Sequence, residues 1–521
     1  MKRSPILRLV LFITLVLALA SVPYIVGMVI DGNGITYTGL TWNIDDACVY
    51  LSWIRQVADG HLLYRNNYTN EPQQSLQFNL LFAAMGGVVH VTGLTSTSVF
   101  HIFRLLLGAG LLIMAWRFAR MFIPDERKRL FFLAILAFSS GFGWFLPQHG
   151  HQGPVDTWQP EAITFLSLYL NPLFLAGQIL MLASFYFLML AKATGAVRPA
   201  IGAGLMLLFL ANIHSYDVAI VGAVWAAYIA VSCIVERKIL WTPILLSALT
   251  AAIALPTLGY QFYLYATEDV FRLRANTPAP SPAIWYYFLG YGVVFIAAMF
   301  GIPRALRGKK HLLLPVWMAV GFMLPYLPFA QQRKFVMGLH IPLAILAVIA
   351  LWPILSKLSW RNARALGAAF VIFASIGNVY FLQRDIGWLY ENRTATIHRP
   401  FLMDSELRAL EWLRANTDRS DTVFASPDIA LFVPAITGNN VYYGHWSETP
   451  DYDRKIREWM WFAAPDTPEE VREIILHESG AKYVIHSFVP DVSELADLSE
   501  EPYLTEVFRD GWTAVYRTYT D

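Results

Sequence analysis

Long apolar runs, one after another, set the first limit on what this chain can become. The first reaches Ile30, and others lie at about 99–121, 130–146, 164–191, 199–213, 216–235, 240–264, 284–303, 312–330, 335–354 and 364–382. Each is close to the roughly 20 residues a helix needs to cross about 30 Å of hydrocarbon. Of the 521 residues 56% are hydrophobic and only 15% charged, where a soluble domain carries about 25% charged residues. The chain therefore reads as a polytopic α-helical membrane protein with about eleven transmembrane helices. Its net charge is +1, and its 39 basic residues are scattered over many short loops, which argues against a nucleic-acid partner. The two cysteines, Cys48 and Cys233, fall near opposite membrane faces in this topology, too far apart for a disulfide.

Orientation follows from the basic loops. RMFIPDERKR, AKATGAVRP, VERK, RALRGKKH and SKLSWRNAR all fall on one side with Lys2 and Arg3 if the apolar stretch 75–91 does not span. By the positive-inside rule that side is cytoplasmic. Stretch 75–91, interrupted by Gln77, Asn79 and Gly86-Gly87, is then a juxtamembrane helix. The small-residue LALAS near the start resembles a cleavage site, but the apolar run continues past it, so an uncleaved anchor is expected. The expected setting is the cytoplasmic (inner) membrane, multi-pass, with the N-terminus inside. The outer face would receive 31–98, 147–163, a turn at 213–216, 265–283, 330–335 and the tail. No inner loop is long enough for a Gly-rich nucleotide site, so chemistry is expected outside.

After Arg384 charges, Pro and mixed periodicity replace the apolar runs. The expected division is a transmembrane domain over 1–383, with a first outer loop over 31–98, and a small extracytoplasmic α/β domain over 384–521. DSELRALEWLRAN predicts a helix started by Asp404 or Ser405, and TPEEVREIILHESG one capped by Thr467 and closed by Gly480. DTVFASP, NVYYG, AKYVIHS and GWTAVYRTY read as strands. GHWSETPDYDRK carries no signal that assigns it a role.

The densest chemistry lies in WNIDDACVYLSWIRQVADGHLLYRNNYTNEP. Asp45 or Asp46 can N-cap a helix running to Ala58 and ended by Gly60. Tyr50, Trp53, Ile54 and Val57 follow i, i+3, i+4, i+7, so the helix would lie flat in the interface with its aromatic face down. One Asp suffices for capping; the second calls for another explanation. The next outer loop holds Asp156 and Glu161, which could supply hard oxygen ligands to a divalent ion, although Pro160 and Glu161 also suit the first turn of the following helix. His149 and His151 form only a weak i, i+2 zinc pattern. In ANIHSYD, His214 and Asp217 flank a turn where Ser215 can cap. Arg333 and Lys334 lie outside against the charge bias, which suits either a phosphate diester or contact with anionic lipid. Arg104, about one turn into its span, either reaches the same site or snorkels outward.

Taken together, this pattern resembles the GT-C membrane glycosyltransferases. It has an acidic pair opening a helix in a long first outer loop, a juxtamembrane segment, a second acidic motif, many spans and a soluble tail. The resemblance is to the protein mannosyltransferase and aminoarabinose-transferase branch, with the outer-loop acids also similar to those of oligosaccharyltransferases. It covers about residues 1–383 as architecture; the first motif here is Asp-Asp, and the Pro-Pro-Leu of the mannosyltransferases is replaced by EPQQSL. The resemblance implies an inverting transfer of a sugar from a polyprenyl-phosphate donor to an acceptor at the outer face. It assigns catalysis to Asp45 and Asp46, the second-loop acid to Asp156 or Glu161, and binding of the lipid phosphate to Arg333 or Lys334; Arg104, His214 and Asp217, which face the same mouth, are the other candidate substrate-binding residues. It leaves open whether Mg or Mn is held by Asp46, Asp156 and Glu161, because one branch uses a metal and the other does not. Membrane lipid and an acceptor of unassigned identity are the other expected partners. The rival readings are a transporter, against which the near absence of ionisable residues at mid-span argues, and a noncatalytic envelope scaffold.

Overall fold

The computed structural model describes residues 5–146, 153–393, 399–487 and 495–519. The chain packs as two compact units. One comprises 1–22, 101–263 and 276–384, the other 23–100, 264–275 and 385–521.

Among the described residues, six helices are long and apolar enough to cross a membrane: Ser96–Ala119, Pro172–Thr194, Tyr216–Glu236, Trp241–Thr267, Ile284–Ala305 and the segment Gln332–Leu355. Two bent pairs, Ile6–Leu19 with Val22–Val29 and Trp360–Ala374 with Ile376–Glu391, raise the number to eight if each is one span. The chain is thus a multi-pass membrane protein. The other three apolar runs form shorter helices, Glu126–Phe138, Val197–Ile213 and Leu313–Met323. The run at 164–191 is interrupted at Asn171, whose side chain caps Phe174 N–H and starts the long helix at Pro172. Close approach inside the first unit uses small residues. A Cβ on Gly301 would stand 2.2 Å from the Leu346 carbonyl oxygen, so helices Ile284–Ala305 and His340–Leu355 meet backbone to backbone.

In the second unit the helix Ile44–Ala58 forms as its periodicity predicts, and Gly60 takes the positive φ of 100° that ends it. Its start differs from expectation. Asn43, in the left-handed conformation, precedes the first helical residue, and Asp45 and Asp46 sit inside the first turn. There both carboxylates still meet the positive end of the helix dipole. The aromatic face is also covered differently. Tyr50 stacks on Phe82, Trp53 on Tyr64, and both Trp53 and Ile54 are buried. The covering helix, Leu80–Thr92, is the expected 75–91 element; its 13 residues begin at an Asn79 cap. Gly86 does not interrupt it. A Cβ there would lie 2.5 Å from Val57 Cβ and 2.8 Å from the Ile54 oxygen, so the glycine lets the two helices touch.

A two-stranded antiparallel pair joins the first loop to the tail, β1 (Ile35–Tyr37) with β2 (Phe401–Met403). The five-stranded sheet runs β4-β3-β5-β7-β6, with β3 Thr422–Ala425, β4 Asn440–Val441, β5 Tyr483–Ser487, β6 Leu504–Asp510 and β7 Thr513–Thr518. β3, β4 and β5 are parallel, and β7 is antiparallel to both β5 and β6. The NVYYG strand shortens to two residues, and Thr467 does not cap its helix, which starts at Glu469 after Pro468. Phe424 centres the core between Tyr442, Tyr443, Trp459 and Phe462.

The stretch RNNYTNE stitches the first loop onto the tail. Asn66 Nδ2 donates to the Glu448 oxygen at 2.7 Å, Asn67 Nδ2 to Gly438 at 2.8 Å, and Asn70 Nδ2 to Ser479 at 2.8 Å. The Tyr68 hydroxyl donates to Leu431 at 3.0 Å, and Lys455 pairs with Glu71. Asn66, Asn67 and Tyr68 are almost fully buried, where an unmade hydrogen bond is costly, so these contacts fix register as well as proximity.

Candidate functional site

In the first turn of the Ile44–Ala58 helix, Asp46 is the more open carboxylate, its side chain 42% exposed against 18% for Asp45. Asn43 Nδ2 donates to Asp46 Oδ2 at 2.8 Å. The remaining partners come from GHWSETPDYDRK. Trp446 Nε1 donates to Asp45 Oδ2 at 3.0 Å, and the buried His445 turns Nε2 toward Asp46 Oδ1 at 3.6 Å and Asp45 Oδ2 at 3.8 Å. Ser447 N–H donates to His445 Nδ1, which leaves the proton of the neutral ring on Nε2, the nitrogen that faces both acids. In the charged ring Ser447 Oγ, 3.3 Å away, accepts from Nδ1. Burial opposes charge on this imidazole, but Asp46, Asp45 and Glu448 together outweigh it and raise its pKa above the ordinary histidine value. Glu448 is itself paired to Arg274 at 2.7 Å, and that guanidinium lies over the Trp53 ring. Sequence reasoning missed His445 and Trp446, since no local pattern points from residue 445 to residue 45.

The first unit brings together three of the expected outer features. Gln159 Nε2, from the second acidic loop, donates to the Arg333 carbonyl oxygen at 2.9 Å, and the Arg333 guanidinium sits 5.4 Å from the centre of the Trp158 ring. Lys334 Nζ lies 4.8 Å from the Tyr216 ring, and Tyr216 borders His214 edge to face. His214 Nδ1 and Asp217 Oδ2 are 3.1 Å apart across the turn between Val197–Ile213 and Tyr216–Glu236. Ser215 makes no side-chain cap. The aromatic faces orient both cations, an arrangement suited to a phosphate diester.

Other expected site residues face inward. Arg104 is buried and donates to Ser21 Oγ at 3.0 Å and to the Leu168 oxygen at 3.2 Å, so its guanidinium ties three segments of the first unit together instead of snorkelling. Asp156 has no exposed surface, and its Oδ2 accepts from the Gly141 and Gly143 amides at 3.0 and 3.1 Å. Burial pushes its pKa up to about 7 against the pull of those two amides. Glu161 is buried in a turn; the following helix starts at Thr164, so Pro160 and Glu161 precede its first turn. Among the described residues no three His, Cys, Asp or Glu side chains are grouped to hold a metal ion. His149 and His151 lie outside the described residues. Cys48 and Cys233 are both free thiols.

No family model and no curated relative matches the chain. Solved structures do. The oligosaccharyltransferase AglB of Archaeoglobus fulgidus, in complex with an inhibitory peptide and a dolichol-phosphate, superposes with a TM-score of 0.60 at 12% identity, over 91% of this chain and 69% of that one. The same enzyme in complex with Zn and sulfate gives 0.54. ArnT from Cupriavidus metallidurans in the apo state gives 0.57 at 13% identity over 97% of both chains, and 0.53 when bound to undecaprenyl phosphate. Both are GT-C glycosyltransferases, so the likeness drawn from the acidic loops and spans holds at the level of fold. Over nearly its whole length, the chain carries the fold of the GT-C membrane glycosyltransferases.

Proposed function

We propose that this protein is a glycosyltransferase that moves a sugar from a polyprenyl-phosphate donor to an acceptor hydroxyl, with inversion at the anomeric carbon. The observation that carries the reading is a carboxylate pair in the first turn of a helix, with Asp46 open to solvent, within the fold shared with AglB and ArnT. Those two enzymes are known with dolichol-phosphate and undecaprenyl phosphate respectively, which supports a polyprenyl-phosphate partner here. Asp46 takes the acceptor proton as the acceptor oxygen bonds to the anomeric carbon. The bond from that carbon to the phosphate oxygen breaks, and its electron pair leaves with the polyprenyl phosphate. In the first unit Arg333 and Lys334, beside the Trp158 and Tyr216 rings, are cations of the kind that bind a phosphate diester.

A resident Mg or Mn ion fits these residues poorly. Asp156 is sealed, one of its oxygens is occupied by two amides, and no described group offers three ligands. The reading therefore uses no metal step, and Asp156 serves to shape its loop. The site belongs to the outer face of the cytoplasmic membrane, with eleven crossings and the tail from about 384 outside.

The test is turnover of undecaprenyl-phosphate-linked hexoses by purified protein, read as release of undecaprenyl phosphate. Asp46→Asn keeps the side-chain size but accepts no proton, and it is expected to lower kcat by about 10²-fold or more. Asp45→Asn and the double variant are measured beside it. Near wild-type turnover in all three variants refutes the catalytic assignment.

A further inference from the structure

GHWSETPDYDRK has no part in the chemistry just described, yet it supplies the groups that surround the acidic pair. We propose that His445 and Trp446 are positioning residues for Asp45 and Asp46, so that the tail completes the reactive site and leaves Asp46 as the proton acceptor. This rests on the glycosyltransferase reading of the acidic helix.

The turn that presents them is fixed at both ends. Thr449 Oγ1 accepts from the Gly444 and His445 amides and donates to the Tyr68 carbonyl at 2.6 Å, while Asn66 holds the Glu448 carbonyl. A turn bonded in this way to the first loop cannot slide along the acidic helix without breaking buried hydrogen bonds.

Trp446 is 48% exposed, so core packing does not account for it. One face stacks on His445 at 5.9 Å, and its single polar atom is directed at Asp45 Oδ2. An indole nitrogen can only donate, which makes the contact charge-assisted and pins the less exposed acid. His445 is the complement. Its side chain is sealed from solvent, and Nε2 has no hydrogen-bond partner of ordinary length, a costly arrangement for a buried donor. That nitrogen faces both carboxylates, so the arrangement is favourable only while the acids stay charged and close. The other ionisable groups beside it are Glu448, held by Arg274, and Tyr68, while Cys48 and Tyr452 face Asp45. With Asp45 bound by the indole and Asp46 Oδ2 by Asn43, the two acids are not equivalent. Asp45 is anchored, and Asp46 is the one that reaches solvent.

The experiment uses the full-length protein in detergent, with undecaprenyl-phosphate mannose and undecaprenyl-phosphate glucose as probes. Trp446→Phe keeps an aromatic ring and removes the N–H. It is expected to lower kcat about tenfold with KM for the donor changed by less than about twofold, the signature of lost transition-state alignment. His445→Leu is expected to lower kcat by a similar or larger factor. His445→Gln, whose amide nitrogen reaches roughly the place of Nε2, should recover most of the loss, which a purely structural role would not allow. Monodisperse elution and an unchanged Tm certify each variant as folded. If the wild type turns over donor and Asp46→Asn does not, but Trp446→Phe and His445→Leu keep wild-type kcat, the positioning role is overturned and the glycosyltransferase reading stands. If Asp46→Asn, Asp45→Asn and the double variant are all as active as the wild type, both fall together.

Discussion

Asp156 is a carboxylate with no exposed surface, one oxygen bonded to two backbone amides and the other, Oδ1, without a hydrogen-bond partner. The balance favours the protonated form until about pH 7. Because the folded pKa is raised above the unfolded value of 3.8, the folded chain binds this proton more tightly. Its contribution to stability is full below the unfolded pKa and is lost as pH rises through about 7. Asp156→Asn keeps an acceptor for Gly141 and Gly143 and cannot ionise. The wild type should therefore lose Tm between about pH 5 and about pH 8, and the variant should lose distinctly less. An equal fall in both would show that another group carries the dependence. From sequence, a Pro and two acids near a predicted span read either as a helix start or as metal ligands. Burial decides the role of Asp156, and that burial depends on Gly143 and Gly377, whose missing side chains leave room for the carboxylate.

Two adjacent glycines in the helix Leu80–Thr92 separate packing from propensity. A Cβ on Gly86 meets Val57 and the Ile54 carbonyl well inside contact distance, while one on Gly87 meets nothing within 4 Å. Gly86→Ala should destabilise by about 1–3 kcal/mol through forced separation of the helices. Gly87→Ala should be neutral or stabilising by up to about 1 kcal/mol, from helix propensity alone. Thermal or denaturant unfolding of the two variants side by side checks this, and equal effects would mean that the helices do not touch at Gly86. From sequence the pair looked like an interruption, because a glycine that breaks a helix and one that admits a neighbour are the same letter. Elements governed by local chemistry were legible, among them the helix ending at Ala58 before Gly60, the strands β3, β5 and β7, and the Gly480 terminus. β6 was not, since Glu506, Arg509 and Asp510 obscure its alternation and its pairing depends on β7. The contact of Trp446 with Asp45 was beyond reach for a related reason: it joins residues 401 apart.

Assembly of the second unit from 23–100, 264–275 and 385–521 restricts the whole molecule. These three stretches are joined by hydrogen bonds and ion pairs, such as Asn66 with Glu448 and Glu448 with Arg274, so they belong on one side of the membrane. The chain must then cross an even number of times between one stretch and the next. Between the first and second lie four long spans, Ser96–Ala119, Pro172–Thr194, Tyr216–Glu236 and Trp241–Thr267. Between the second and third lie only three, Ile284–Ala305, Gln332–Leu355 and the bent pair Trp360–Glu391. Evenness therefore requires the short apolar segment Leu313–Tyr326 to cross as well, and requires Glu126–Phe138 and Val197–Ile213 to cross both or neither. Crossing by both would give eleven spans and put Lys192 and Arg198 on the same face as the Arg and Lys clusters at 117–129, 304–310 and 357–364, whereas crossing by neither would put them on the opposite face, against the charge bias. In a Cys233→Ser background, where the remaining Cys48 is buried, Gly308→Cys should react with a membrane-impermeant maleimide only after permeabilisation. Pro328→Cys should react in intact cells. Labelling of both from the same side would mean that Leu313–Tyr326 does not cross, and the three stretches of the second unit could then not share a face.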